Sequence, residues 1–324
     1  MKLALCVGIN YYEDGGCLKG CVKDAMDMVN TLQRNGDGTA NFEAISLIAR
    51  DEDTAISKPK LRIQLRKLFE SDVETALFYF SGHGAVDDYG GYLCTSDVMS
   101  GDDGFAMSDL MDLVAKSPAR NKIIILDCCF SGALANCQKL GKDNRMVNFC
   151  ELPENTTIIS ACTDNSVAYE GLFTPLVIDA LRGGAMDMIG EVSLSGVYSY
   201  VDRALGAWYQ RPVFKANIKN SICLRKNNPP IAFDILRRIT DHFVDPFDDY
   251  PLDPTFEEDK NISGIPDVNK EHEAIFADMR EYARVNLVVP VGEEYMYWAA
   301  VRSKACRLTP LGRYYWRLVA TNRI

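Results

Sequence analysis

TALFYFSGHG (75–84) and KIIILDCCFSG (122–132) decide how the chain reads. Each is a run of aliphatic and aromatic residues that stops at a cluster of small residues carrying one reactive side chain. LALCVGI (3–9), FEAISLI (42–48) and TTIISACT (156–163) have the same character. Continuous apolar runs, rather than in/out alternation, predict strands covered on both faces. Helix-like stretches at 22–32, 59–70, 107–114 and 174–182 separate them, with Pro59 at a helix start where its missing N–H is harmless. Strand and helix alternating in this way predict a mostly parallel sheet between two helical layers. Right-handed crossovers then place every strand C-terminus on one edge, where such sheets carry their sites.

The rest of the chain bounds the reading. Its 324 residues exceed one average domain, and 47% hydrophobic with 25% charged residues is the composition of a soluble globular protein. No apolar run has the length of a membrane span, and MKLALCVGINYY lacks a cleavage-site pattern, so neither a membrane partner nor a signal peptide is expected. Eleven cysteines without metal-type pairs suit a reducing compartment, so a cytoplasmic location is expected. A net charge of −10 argues against nucleic-acid binding by the bulk surface.

Only three histidines occur, and His83 alone lies in the α/β region, between Gly82 and Gly84 directly after a strand. The glycines are expected to free the backbone there for unusual dihedrals and close approach. Forty-six residues on, Cys128 and Cys129 end another buried strand, well placed for a nucleophile. Neighbouring strand ends can set an imidazole beside a thiol, as base or as ion-pair partner of the thiolate. One backbone N–H after each strand can face the same space and hold an oxyanion.

Together, SGHG and DCCFSG resemble the catalytic signatures of the caspase-like cysteine peptidases (peptidase C14), in particular bacterial metacaspase-like, or orthocaspase, members. LALCVGINYY, Leu18-Lys19-Gly20-Cys21-Val22-Lys23-Asp24-Ala25, and Ile159-Ser160-Ala161-Cys162 with Ala168-Tyr169-Glu170 extend the resemblance over about residues 1–224. It implies a caspase-like α/β/α sandwich and a cysteine endopeptidase acting on proteins. The metacaspase pattern D-x-C-x-S-G selects Cys129 as nucleophile with His83 as base, and leaves Cys128 as a strand residue facing the other way. The oxyanion donors implied are the backbone N–H groups of Gly84 and Cys129.

The resemblance also bears on specificity. Members that cut after Arg or Lys have an acidic S1 pocket, and their motifs match here at Cys21, Asp24, Ser81 and Asp127. A cationic side chain entering a low-dielectric pocket needs such carboxylates. The competing readings are structural: Asp24 as a charge favoured at a helix N-terminus, and Asp127 as a strand-end hydrogen-bond anchor. The calcium-binding aspartates of many metacaspases correspond to Asp97, Ser108, Asp109 and Asn136. Two of four carboxylates are missing, so no cofactor is expected and calcium is not expected to be required, with Asp97 and Asp109 as weak candidates. Asp102 and Asp103 read as a turn. Lys139, Lys142 and Arg145, in the polar stretch 138–149, are candidate self-cleavage positions.

Beyond residue 224 the character changes. Residues 225–264 read as an acidic, proline-containing linker, with eight acids between Asp241 and Asp259. Residues 265–324 read as a small winged-helix-like module: a helix over 271–286, strands at 295–301 and 305–308, and a closing helix over 309–318. Six basic residues and no acids after Tyr295 leave nucleic acid open as a partner, while a regulatory protein partner is the favoured expectation. The acidic stretch could lie over the S1 region or over the basic tail and hold the enzyme inactive. Bacterial caspase-like chains with appended modules resemble effectors of defence or cell death. The alternative to a peptidase is a silent scaffold or a nucleic-acid-binding regulator.

Overall fold

The computed structural model describes residues 1–87, 90–99, 104–128, 152–161, 171–206, 211–258 and 269–324. They form two compact units, Met1–Met186 with Glu191–Asn228, and Asp187–Gly190 with Pro229–Ile324.

The first unit follows the expected alternation: β1 (Lys2–Ile9), α1 (Cys21–Leu32), β2 (Phe42–Ala49), α2 (Lys58–Phe69) and β3 (Thr75–Ser81). β4 (Gly84–Asp87), β5 (Gly90–Leu93) and β6 (Phe105–Ala106) make a small antiparallel sheet that the sequence did not announce. α3 (Met107–Lys116), β7 (Asn121–Asp127), β8 (Thr156–Ser160), α4 (Phe173–Asp179), β9 (Glu191–Ser193), α5 (Leu194–Leu205), β10 (Val213–Asn217) and β11 (Cys223–Lys226) complete it. The main sheet runs β10-β8-β7-β3-β1-β2, parallel except for β10.

Successive strand residues enter opposite cores. Val7, Phe78, Phe80, Ile124 and Leu126 pack with Leu61 and Leu65 of α2 and Leu110 and Val114 of α3. Cys6, Leu77, Tyr79, Ile123 and Ile125 pack with Ala25 and Met28 of α1, Val177 of α4 and Val197 and Val201 of α5. Two buried faces require apolar residues at every position, which is why these strands read as continuous runs. α2 shows the local logic: Ser57 Oγ accepts the Lys60 N–H, Pro59 fills the first turn, and Leu61, Leu65, Leu68 and Phe69 form its buried stripe.

The second unit contains α6 (Phe233–Arg237), α7 (Ile239–His242), β12 (Tyr250–Pro251), α8 (Lys270–Arg284), β13 (Val288–Val291), α9 (Met296–Val301), β14 (Ala305–Leu308) and α10 (Pro310–Ala320). Its sheet runs β12-β14-β13, antiparallel throughout. Two expectations are corrected. Within the linker expected at 225–264, the described residues 225–258 are folded: Lys226 ends β11, and Ile231, Leu236, Ile239, Phe243, Leu252 and Phe256 belong to the second core. Acid-rich composition hid these apolar positions because Asp241, Asp245, Asp248, Asp249 and Glu258 face solvent.

The other correction concerns 295–301, expected as a strand of a winged-helix hairpin. Met296, Ala299 and Ala300 are buried at helical spacing, and α9 stands between β13 and β14. The acidic stretch lies against the tail of its own unit, through the β12–β14 pairing and an Asp249–Arg307 ion pair. Among the described residues no helix is long and apolar enough to cross a membrane.

Candidate active site

The parallel register ends three strands level, with Gly8 of β1 opposite Ser81 of β3 and Ser81 opposite Asp127 of β7. Everything that follows these positions emerges on one edge. α1 is drawn against it because Gly8 has no side chain: a Cβ there would lie 2.2 Å from the Cys21 carbonyl oxygen. This close approach sets the first turn of α1, carrying Cys21 and Asp24, beside the strand ends.

His83 leaves β3 two residues beyond Ser81. Its backbone N–H donates to the Tyr12 hydroxyl at 2.7 Å, and its ring packs on Tyr12 with centroids 4.8 Å apart. Gly82 permits this contact, since a Cβ would meet the Tyr12 hydroxyl at 2.7 Å. Neither Gly82 nor Gly84 has a positive φ, so their expected role in unusual dihedrals is corrected to one of close approach at Gly82. Gly84 opens β4 and pairs with Leu93.

His83 Nε2 lies 2.6 Å from the Gly16 carbonyl oxygen. A carbonyl only accepts, so Nε2 carries the proton. In the neutral ring Nδ1 then has the lone pair, which is the state a general base needs.

Cys129, including its backbone N–H, lies outside the described residues. β7 ends at Asp127, so Cys128 lies just beyond the strand rather than within it. Cys128 is buried with Ile124 and Leu126, continuing the alternation of that face. Cys94, whose N–H donates to the His83 carbonyl, is held inert, with burial pushing its thiol up to about 11.

Two of the four expected pocket residues are hydrogen-bonded to each other, and a third, Asp127, is anchored from outside the set. Ser81 Oγ donates to Asp24 Oδ2 at 3.5 Å, and Asp127 Oδ2 accepts from Thr174 Oγ1 at 2.6 Å. Asp24 is buried, and its carboxyl is pushed up to about 6, first by burial and then by the Asp127 charge. Cys21 is buried one turn before Asp24 on α1. Asp24 does lie in the first turn of its helix, and Asp127 is anchored at its strand end, so both structural readings describe real contacts.

Other expected positions are placed differently. Both carboxylate oxygens of Asp97 accept the Lys58 N–H at the start of α2, and Oδ1 also accepts from Thr95 Oγ1 at 2.7 Å. Asp109 is ion-paired with Arg62, and Ser108 lies in the first turn of α3. Among the described residues no three metal-ligating side chains cluster. Asn136, Lys139, Lys142, Arg145, Asp102, Asp103, Cys162, Ala168, Tyr169 and Glu170 lie outside the described residues. Sequence reasoning missed Tyr12, Gly16, Tyr79 and Thr174. Tyr12 stands in the quoted LALCVGINYY run, yet nothing in its spacing marks it as a partner of a residue 71 positions away.

With this geometry in place, comparison with known proteins settles the family. The caspase-domain model matches residues 1–219. The chain belongs to the caspase-domain family, peptidase C14. A metacaspase-6 of Arabidopsis thaliana is 33% identical over 150 residues, covering 41% of this chain and 39% of that protein. A metacaspase-1A of Aspergillus clavatus is 29% identical over 149 residues, covering 41% of this chain and 34% of that protein. The chain thus spans roughly a third to two-fifths of the curated relatives it matches. A crystal structure of caspase-1 from Spodoptera frugiperda shares the fold at a TM-score of 0.51 and 11% identity, over 70% of this chain and 90% of that one. Membership makes cysteine-peptidase chemistry the family expectation for the caspase domain of this chain.

Proposed function

We propose that the chain is a cysteine endopeptidase cleaving proteins after Arg or Lys, with Cys129 as nucleophile and His83 as base. The observation that carries the specificity is the carboxylate pair Asp24 and Asp127, held together at the strand edge that His83 leaves. A buried carboxylate beside a second, half-buried one is unfavourable, and a guanidinium or ammonium placed between them relieves it. In the proposed reaction His83 Nδ1 accepts the thiol proton as Cys129 Sγ bonds to the scissile carbonyl carbon. The oxyanion is held by the Gly84 and Cys129 N–H groups. The tetrahedral species then collapses to a thioester as the leaving amine takes the proton from His83, and water hydrolyses the thioester by the reverse proton path.

Regulation by a protein partner through the second unit belongs to the same reading, as does a role as a defence or cell-death effector. The nucleic-acid alternative is not favoured: Arg302 pairs with Glu293 and Arg307 with Asp249, while Arg313 lies over the Phe247 ring. The test is a set of fluorogenic peptides differing only at P1 (Arg, Lys, Asp or Asn), assayed with calcium and with a chelator. Arg or Lys cleavage, lost in Cys129→Ala and His83→Ala and unaffected by chelation, is expected. Cleavage after Asp would overturn the pocket assignment, and mass spectrometry of the purified chain tests cuts at Lys139, Lys142 and Arg145.

A further inference from the structure

We infer that Thr174 and Tyr79 are positioning residues of the acidic pocket, a hydroxyl relay that fixes the Asp127 carboxylate and thereby tunes recognition of a cationic substrate side chain. The inference rests on the Arg/Lys reading above for its function, though not for its geometry. Tyr79 lies two residues before Ser81 on β3, and so on the same sheet face as Ser81 and Asp127. That face is covered by α1, which carries Asp24, and by α4, which carries Thr174 in its first turn. Tyr79 and Thr174 are both fully buried, at 0% exposure.

With Asp127 ionised, the direction of the relay follows. The Tyr79 hydroxyl is 2.6 Å from Thr174 Oγ1, and Thr174 Oγ1 is 2.6 Å from Asp127 Oδ2. Charged Asp127 only accepts, so Thr174 spends its one proton on it. Thr174 must then accept from Tyr79. Both hydroxyl protons then point toward the carboxylate, and each bond polarises the next.

This arrangement separates the two acids. Asp127 receives a charge-assisted hydrogen bond of 2.6 Å from a buried donor, whereas the Ser81 bond to Asp24 is long at 3.5 Å. Asp127 is therefore the member kept ionised, and Asp24 the member that holds the exchangeable proton. Among the described residues, the charges bearing on Asp24 are those of Asp127 from β7 and of Lys23 and Asp27 from α1, and those bearing on Tyr79 of β3 are Asp127 and Asp24. Without the Thr174 hydroxyl, Asp127 loses this donor and the Tyr79 hydroxyl is left to its contact with Ser81. The pair then retains a proton at a pH where the wild type has released it, and the pocket is less attractive to a cation.

The test is Thr174→Val in the full chain, which keeps the β-branched shape and removes only the hydroxyl. KM for a P1-Arg peptide is expected to rise about tenfold, with kcat changed by less than about threefold. The acidic limb of the kcat/KM profile is expected to move up by about one pH unit. Thr174→Ser restores both, and Tyr79→Phe gives a smaller shift in the same direction. An unchanged KM and pH limb in Thr174→Val, or failure of Thr174→Ser to restore them, overturns the proposal. Carboxyl carbon NMR of Asp127 gives a readout independent of activity. Asp127 is expected to titrate below Asp24 in the wild type and to move up in Tyr79→Phe. Identical Asp127 titration in both refutes the relay. A wild type that cuts no Arg or Lys peptide, yet shows that NMR shift, refutes the substrate reading and leaves the relay standing.

Discussion

In the second unit, buried Asp278 accepts two hydrogen bonds from Arg238, each 2.7 Å, and lies 2.8 Å from His242 Nε2, while buried Glu257 is bonded through both oxygens to Arg280. In the first unit, buried Asp24 forms no ion pair among the described residues and faces a second carboxylate. Burial pushes the Asp278 carboxyl up, but the bonds from Arg238 and His242 outweigh it and leave it below the usual carboxylate range. For Asp24 the neighbouring charge adds to burial, and the carboxyl is pushed up to about 6. Asp278 and Glu257, which serve the fold, are matched by cations within it. Asp24, raised by burial and by the charge of Asp127, is suited to a cation that arrives from outside.

That contrast breaks most easily at the pocket. Asp24→Asn or Asp127→Asn is expected to lower kcat/KM for P1-Arg and P1-Lys peptides by about a hundredfold or more, measured by steady-state kinetics. Losses under threefold would make both acids structural.

Stability should move in opposite directions in the two units. Asp24 binds its proton more tightly folded than unfolded, so its contribution to stability is greatest below the unfolded value and declines as pH rises through about 6. Asp24→Asn is therefore expected to stabilise the chain at pH 8 by about 1–2 kcal/mol. Asp278 has the reverse sign: its contribution is present above the unfolded carboxylate value and is lost as pH falls through the lower folded value. Asp278→Asn is expected to cost about 1–3 kcal/mol, the smaller end reflecting the half-exposed Arg238 side chain. Thermal unfolding of the two variants side by side checks both signs.

A pH profile sharpens the comparison further. kcat/KM for a P1-Arg peptide is expected to climb as pH passes about 6, where Asp24 gives up its proton. The climb should flatten in Asp24→Asn, whereas Asp278→Asn should leave it in place. The smallest effect is expected on the surface of the second unit. Glu293→Gln removes the partner of Arg302, whose side chain is half exposed, and should change stability by less than about 0.5 kcal/mol.

The strands and their shared edge were legible because a strand buried on both faces must be apolar at every position, a constraint visible within seven or eight residues. His83, Asp24 and Asp127 were legible because each sits beside such a run in a recognisable motif. The groups that hold them were not. Gly16 reaches His83 across 67 residues and Thr174 reaches Asp127 across 47, through one hydroxyl or carbonyl each. Such long-range partners leave no periodicity in the chain. The folding of 241–258 is hidden for the opposite reason: its many exposed acids outnumber the few apolar residues, Phe243, Leu252 and Phe256, that fold it. Removing it would therefore take core residues from the second unit as well as negative charge.

The central claim is that buried Asp24 and half-buried Asp127 together select a positive charge, and one substrate pair isolates it. Peptides identical except for arginine or citrulline at P1 have nearly the same shape and differ in charge. The wild-type chain at pH 8 is expected to cleave the arginine peptide at least about a hundredfold faster in kcat/KM, and Asp24→Asn should shrink that ratio. Equal cleavage of the two peptides by the wild type would contradict it.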